Sequence, residues 1–275
     1  MLCLQTLWLI HEPANEVYFL LLIFFATLLS YNTHFWLAAR KSKASRQLIW
    51  FSKTKPLTVA MNAILLALVC WLLWQMQHLM LPLLIAVVLN AAYTAPLLLN
   101  APLRLPLLFT FVKSYFIGFA WAFVTVVLPV WHTNSVFDTN VLLLLAQRFM
   151  LVSLATLIFD CRDRQLDQQW GVHTPANCFS PPQMNRFFLL NLLLYGGLLV
   201  AQALLTQESH PLLQLLLLPL IWTLYQKSIS ATLALPPRWP IQTDHLRSSA
   251  PPMFPLEICK RIRLALSSKI FTLET

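Results

Sequence analysis

The stretch Asp160-Cys161-Arg162-Asp163-Arg164-Gln165-Leu166-Asp167 holds three of the ten acidic residues in the chain. Their i, i+3, i+7 spacing puts Asp160, Asp163 and Asp167 on one face of a helix. The stretch follows directly on an apolar run, and carboxylates at a membrane boundary are costly unless a cation neutralises them. Mg²⁺ takes carboxylate oxygens and shares them with substrate phosphates. The expected chemistry is therefore a membrane-embedded magnesium–diphosphate site with Asp160, Asp163 and Asp167 as metal ligands. Arg162, Arg164 and Lys113 are the candidate cations for the phosphate oxygens, because charge-assisted hydrogen bonds are the strong ones. That combination favours heterolysis of an allylic C–O bond. The resulting cation needs an apolar or aromatic pocket, since ring faces attract cations; Tyr93, Phe116, Trp121 and Phe159 are candidate lining residues. A solvated, salt-bridged helix end would show the same mixture of aspartate and arginine.

The elements that must position these groups follow from composition. Apolar residues make up 58% of the chain and charged residues 11%, against about 25% charged in soluble domains. Mean hydropathy is +0.66. Leu-rich runs of helix formers, rather than alternating ten-residue strands, predict an all-α polytopic membrane bundle and not a barrel. The net charge of +9 reads as membrane topology, and nucleic acid is not an expected partner. Four glycines exclude a Gly-rich phosphate loop. The five cysteines are scattered and odd in number, so neither a disulfide framework nor a zinc site is expected. Nor does the N-terminus read as a signal peptide.

An apolar segment within residues 1–15 is too short to cross a ~30 Å hydrocarbon core. About seven full spans follow, near 17–39, 57–76, 80–99, 107–131, 140–160, 187–206 and 212–234. With seven spans, loop 40–55, Arg104, loop 160–186 and the tail fall on one side. The opposite turns carry Asp138 and Glu208 and lack Lys and Arg. The positive-inside rule makes the basic side, with the acidic loop and the tail, cytoplasmic; the expected location is a bacterial inner membrane. Lys113, Arg148 and Lys227 then lie within spans, where cations face the protein interior or a watery cavity. Lys113 and Lys227 are expected to converge on the chamber of the aspartates. The sequence divides into a transmembrane domain, 1–234, and a basic, Pro-rich tail, 235–275. In the tail, Ile258, Ile262, Leu266 and Ile270 form an i, i+4 stripe that suits an interfacial helix on anionic lipid.

Asp160–Thr174, DCRDRQLDQQWGVHT, resembles the second aspartate-rich motif of the UbiA superfamily of intramembrane prenyltransferases. Its pattern D-x-R-D-x-x-x-D-x-x-x-G-x-x-T is met by Asp160, Arg162, Asp163, Asp167, Gly171 and Thr174. Tyr93-Thr94-Ala95-Pro96, followed by Arg104 and Lys113, is similar to the family's Y-x-x-P segment and the basic positions after it. The resemblance covers about 17–234. It implies a truncated version of a nine-helix fold, with Asp160, Asp163 and Asp167 holding Mg²⁺–diphosphate and Lys113 and Arg104 contacting phosphate. It also implies transfer of a polyprenyl group from its diphosphate to an aromatic or lipid-like acceptor.

The chain departs from the family in three places. The stretch matching the first motif, Asn32-Thr33-His34-Phe35-Trp36-Leu37-Ala38-Ala39-Arg40, keeps Asn32 as a substrate-binding candidate but lacks all three aspartates. The first helix is a stub, and the ninth is missing. An open wall would meet lipid or a second copy of the chain. Two further readings stay open: an inactive isoprenoid-binding relative, and a small transporter with Lys113, Arg148 and Lys227 along an anion path.

Overall fold

The computed structural model describes residues 2–10, 16–41, 50–51, 53–98, 113–164, 167, 174–207 and 210–234. Every regular element among them is helical. In order they are α1 (Leu2–Leu9), α2 (Val17–Lys41), α3 (Lys55–Gln75), a 3₁₀ turn (Gln77–Leu79), α4 (Met80–Leu98) and α5 (Lys113–His132). Then come α6 (Thr139–Arg162), α7 (Pro175–Cys178), α8 (Pro181–Thr206), α9 (His210–Leu213), a 3₁₀ turn (Gln214–Leu216) and α10 (Leu217–Ala234). Among the described residues, six helices are long and apolar enough to cross a membrane, and a shorter apolar stretch runs from Gln77 to Tyr93. The chain is thus an all-α, polytopic membrane protein. Of the seven expected spans, six reach crossing length; the one at 80–99 contributes the shorter stretch. The tail after Ala234, with its expected interfacial helix, lies outside the described residues, as do Arg104 and Gly171.

Local chemistry explains several helix ends. The Asp138 carboxylate accepts the Val141 N–H at 2.8 Å, capping α6. α8 begins six residues earlier than expected. Pro181 and Pro182 open its first turn, and the Ser180 N–H donates to Gln183 Oε1 at 3.1 Å. Beyond α5, Asn134 adopts a left-handed conformation (φ 53°), which its short polar side chain tolerates.

Contacts divide the chain into two compact units, Met1–Leu105 with Tyr115–Val152, and Pro106–Ser114 with Ser153–Thr275. In the first, Cys3, Leu7, Phe19, Leu22, Leu72, Leu79 and Leu128 form one apolar core. A π-helical segment, Phe123–Val127, interrupts α5. Pro129 has no N–H for the Thr125 carbonyl four residues back. The Thr6 hydroxyl donates to that carbonyl at 2.7 Å, and the Cys3 thiol reaches Val124 O at 3.6 Å. The short helix α1 therefore satisfies backbone groups that an apolar medium would leave unpaired. Buried Arg148 donates to Gln5 Oε1 at 2.6 Å, a further tie to α1.

In the second unit, Phe188 of α8 and Tyr225 of α10 stack with centroids 3.8 Å apart and planes 5° from parallel. Tyr225 Oη donates to Asn185 Oδ1 at 2.9 Å, and Ser228 Oγ to Ile158 O at 3.1 Å. A Cβ added to Gly196 would stand 3.2 Å from Leu218 Cδ1, so glycine permits this close approach. Cys3, Cys70 and Cys161 form no disulfide.

Candidate functional site

The final turn of α6 carries the aspartate motif of the second unit. The Asp163 N–H donates to Phe159 O and the Asp167 N–H to Asp163 O, both i, i−4 bonds at 2.9 Å. Asp160 and Asp167 are buried, at 3% and 5% exposure. Asp160 lies where the carbonyl ends of the helix disfavour a carboxylate, so it needs compensation from another element. That comes from the first described turn of α5. Lys113 Nζ stands 3.3 Å from Asp160 Oδ1 and 3.7 Å from Asp167 Oδ2, and Ser114 Oγ donates to Asp160 Oδ2. One ammonium therefore bridges the two buried carboxylates.

Asp163 behaves differently. Arg162 Nε and Nη2 donate to its two oxygens at 2.9 and 3.1 Å, on the exposed side of the turn. The same guanidinium lies 4.9 Å from the centroid of the Phe159 ring. The i, i+3, i+7 face is thus divided between a buried pair, Asp160 and Asp167, and a surface pair, Arg162 and Asp163. Arg164 is partly exposed.

Asp167 Oδ2 accepts no hydrogen bond from the described residues. Burial pushes the Asp167 carboxyl up to about 6; Lys113 opposes that rise, and Asp160 and Asp163 add to it. Thr174, the last residue of the motif, is fully buried, and its Oγ1 finds no partner among the described residues.

Lys227 does not join this cluster, contrary to the expected convergence with Lys113. It is exposed on α10. Two residues are about 200° around a helix, so the turn that buries Tyr225 directs Lys227 away. Sequence reasoning also passed over Ser114, although its place beside Lys113 was the available signal.

Asn32, Tyr93, Phe116 and Trp121 belong to the first unit. Asn32 of α2 is buried, and its Nδ2 meets no acceptor among the described residues. Tyr93 stacks on His34 at 5.3 Å and 20°. Tyr31 lies 6.4 Å from Trp121. Of the other proposed lining residues, Phe116 is partly buried and Phe159 is largely exposed.

Among the described residues no three His, Cys, Asp or Glu side chains are grouped to hold a metal by themselves. Two buried carboxylates still offer hard oxygen donors of the kind Mg²⁺ uses when water and substrate phosphates complete its shell. The cost of keeping Asp167 ionised is one that a bound cation would offset. No family model, curated protein or solved structure matches the chain.

Proposed function

We propose that this protein is a membrane prenyltransferase, which transfers a polyprenyl group from its diphosphate to an aromatic or lipid-like acceptor with Mg²⁺ bound at the aspartate motif. The observation that carries this reading is the pairing of buried Asp160 and Asp167 through Lys113 at the end of an apolar helix. Burying two carboxylates and an ammonium costs several kcal/mol per ion before they attract one another. A site that repays the cost by binding a charged ligand accounts for that arrangement better than structural support does. The family resemblance of residues 160–174 points the same way.

Asp160 and Asp167 would hold the metal, with phosphate oxygens and water in its other positions. When bound, Mg²⁺ neutralises charge on the leaving diphosphate. Lys113, set between the carboxylates, supplies a further cation toward the phosphates, and Arg162 and Arg164 lie on the adjoining surface. Lipid is proposed to surround the spans. The proposed placement is a bacterial inner membrane, with the motif and tail facing the cytoplasm.

The test uses the full-length protein in nanodiscs with labelled geranylgeranyl diphosphate and a membrane extract as acceptor source. Mg²⁺-dependent binding and release of diphosphate are expected, both abolished by Asp167→Ala or by chelator. Binding that survives Asp167→Ala and chelator together would overturn the site. Mg²⁺-dependent binding without turnover would instead favour an inactive isoprenoid-binding relative, a reading motivated by the missing aspartates after Asn32.

A further inference from the structure

A second ionisable cluster lies in the first unit, at the end of α3 away from loop 40–55. Glu16 precedes α2, His132 ends α5, and His78 sits in the turn between α3 and α4. His132 Nε2 is hydrogen-bonded to Glu16 Oε2, and His132 Nδ1 lies 2.9 Å from His78 Nε2. Phe19 stacks on the His132 ring with centroids 4.6 Å apart and planes 2° from parallel. The His78 ring lies beside it, edge to edge, with centroids 5.1 Å apart and planes 18° from parallel. His132 is nearly buried, with 10% of its side chain exposed, while His78 is open to the outside.

We infer that Glu16, His132 and His78 form a proton-binding site that fastens the start of α2, the end of α5 and the α3–α4 turn to one another and releases His78 on acidification. With both imidazoles neutral, one arrangement of protons satisfies every contact. His132 Nε2–H donates to the Glu16 carboxylate, and His78 Nε2–H donates to the lone pair on His132 Nδ1. Protonating both rings puts a hydrogen on His132 Nδ1. It opposes the N–H of His78, removes the acceptor between the rings and leaves two cations facing each other.

Among the described residues, no charged group other than Glu16 acts on the pair from the surrounding elements. The only titratable group on α1 is Cys3, whose thiol turns to Val124 O. Asp138, ahead of α6, caps Val141. Residues Met80–Leu98 of α4 contain no charged group. Burial, and then His132, lowers the His78 pKa below the ordinary imidazole value, with Glu16 acting in the opposite direction. The folded state therefore resists the proton, and the stability due to His78 is lost as pH falls below the ordinary histidine range, about 6.5. Histidines titrating in this range are the usual side chains of such switches.

The experiment is amide hydrogen exchange on the full-length protein in micelles between pH 8 and pH 5, corrected for intrinsic exchange, with ¹⁵N-imidazole NMR beside it. Protection of segments 76–80 and 128–138 should fall by about tenfold or more. His78→Phe should keep an aromatic ring beside His132 and lose the pH dependence. Glu16→Gln should move the midpoint to lower pH. Equal protection at pH 8 and pH 5 in the wild type, or an unchanged pH dependence in His78→Phe, would overturn the inference. Should the variants not fold, wild-type NMR decides. Loss of the His78–His132 imidazole hydrogen bond on acidification supports the site, and its persistence at pH 5 sinks it.

Discussion

Lys113 Nζ lies 3.3 Å from Asp160 Oδ1, joining the start of α5 to the end of α6 by an ion pair whose acidic partner is almost completely buried. The pair compensates a buried carboxylate at the carbonyl end of α6. Under the proposed function, Lys113 would be the residue through which ligand binding and folding are coupled.

Replacing Lys113 by Met should leave Asp160 buried without its cation. The expected loss is about 3 kcal/mol, the low end for a broken buried pair, because Lys113 is itself a quarter exposed. A lower thermal midpoint in micelles would register it. Added Mg²⁺ should restore part of the loss by supplying a replacement cation, and an equal response to K⁺ would argue against a divalent site.

Asp167 links the motif to pH. Its folded-state pKa, about 6, stands above the value of about 3.9 for an unfolded chain. The folded state thus binds more protons between these values, and stability falls as pH rises from about 4 to about 6. Asp167→Asn should remove that term, so the midpoint difference, variant minus wild type, should rise across this window and level off above it. Mg²⁺ affinity of the wild type should increase through the same window as the carboxyl gives up its proton. Thermal scans and metal titration at several pH values check both.

Ser114→Ala removes a hydroxyl donor from the buried Asp160 carboxylate. Hydrogen bonds to charged groups contribute about 1.5–3 kcal/mol, and a loss of that size is expected in equilibrium unfolding. No loss would mean that Lys113 alone satisfies Asp160.

Asn32→Leu should behave in the opposite way. The buried Nδ2 has no acceptor among the described residues, so removing it relieves a desolvated donor and should not lower the thermal midpoint. If Asn32 contacts substrate, prenyl diphosphate binding should weaken in the same variant. Lower stability with unchanged binding would assign Asn32 to packing.

Phe188→Ala should be the most damaging of these changes to the second unit, because Phe188 is fully buried and stacked on Tyr225. A cavity of that size typically costs about 3–5 kcal/mol. Tyr225→Phe keeps the ring stack and loses only the hydrogen bond to Asn185, about 1 kcal/mol. Chemical unfolding of the two variants under one condition gives the comparison.

Helices and their membrane character were legible along the chain because hydropathy and helical period are local properties. Runs of about twenty apolar residues, the aspartates at i, i+3 and i+7, and the cap at Asp138 each involve only a few neighbouring positions. Ser180–Gln183 carried a local signal for the Pro-Pro start of α8, but the hydropathy reading placed that start six residues later. Contacts between distant residues were not legible. Nothing near Asp163 in the sequence says that it pairs with Arg162 while Asp160 and Asp167 share Lys113, and nothing near Lys227 says that its helix turns it outward. The joining of Glu16, His78 and His132 is likewise invisible in a one-dimensional reading, because it spans 116 positions. Helical periodicity assigns a residue to a face; which face meets which neighbour depends on how the helices pack, and at these sites packing selected the partner of each charge.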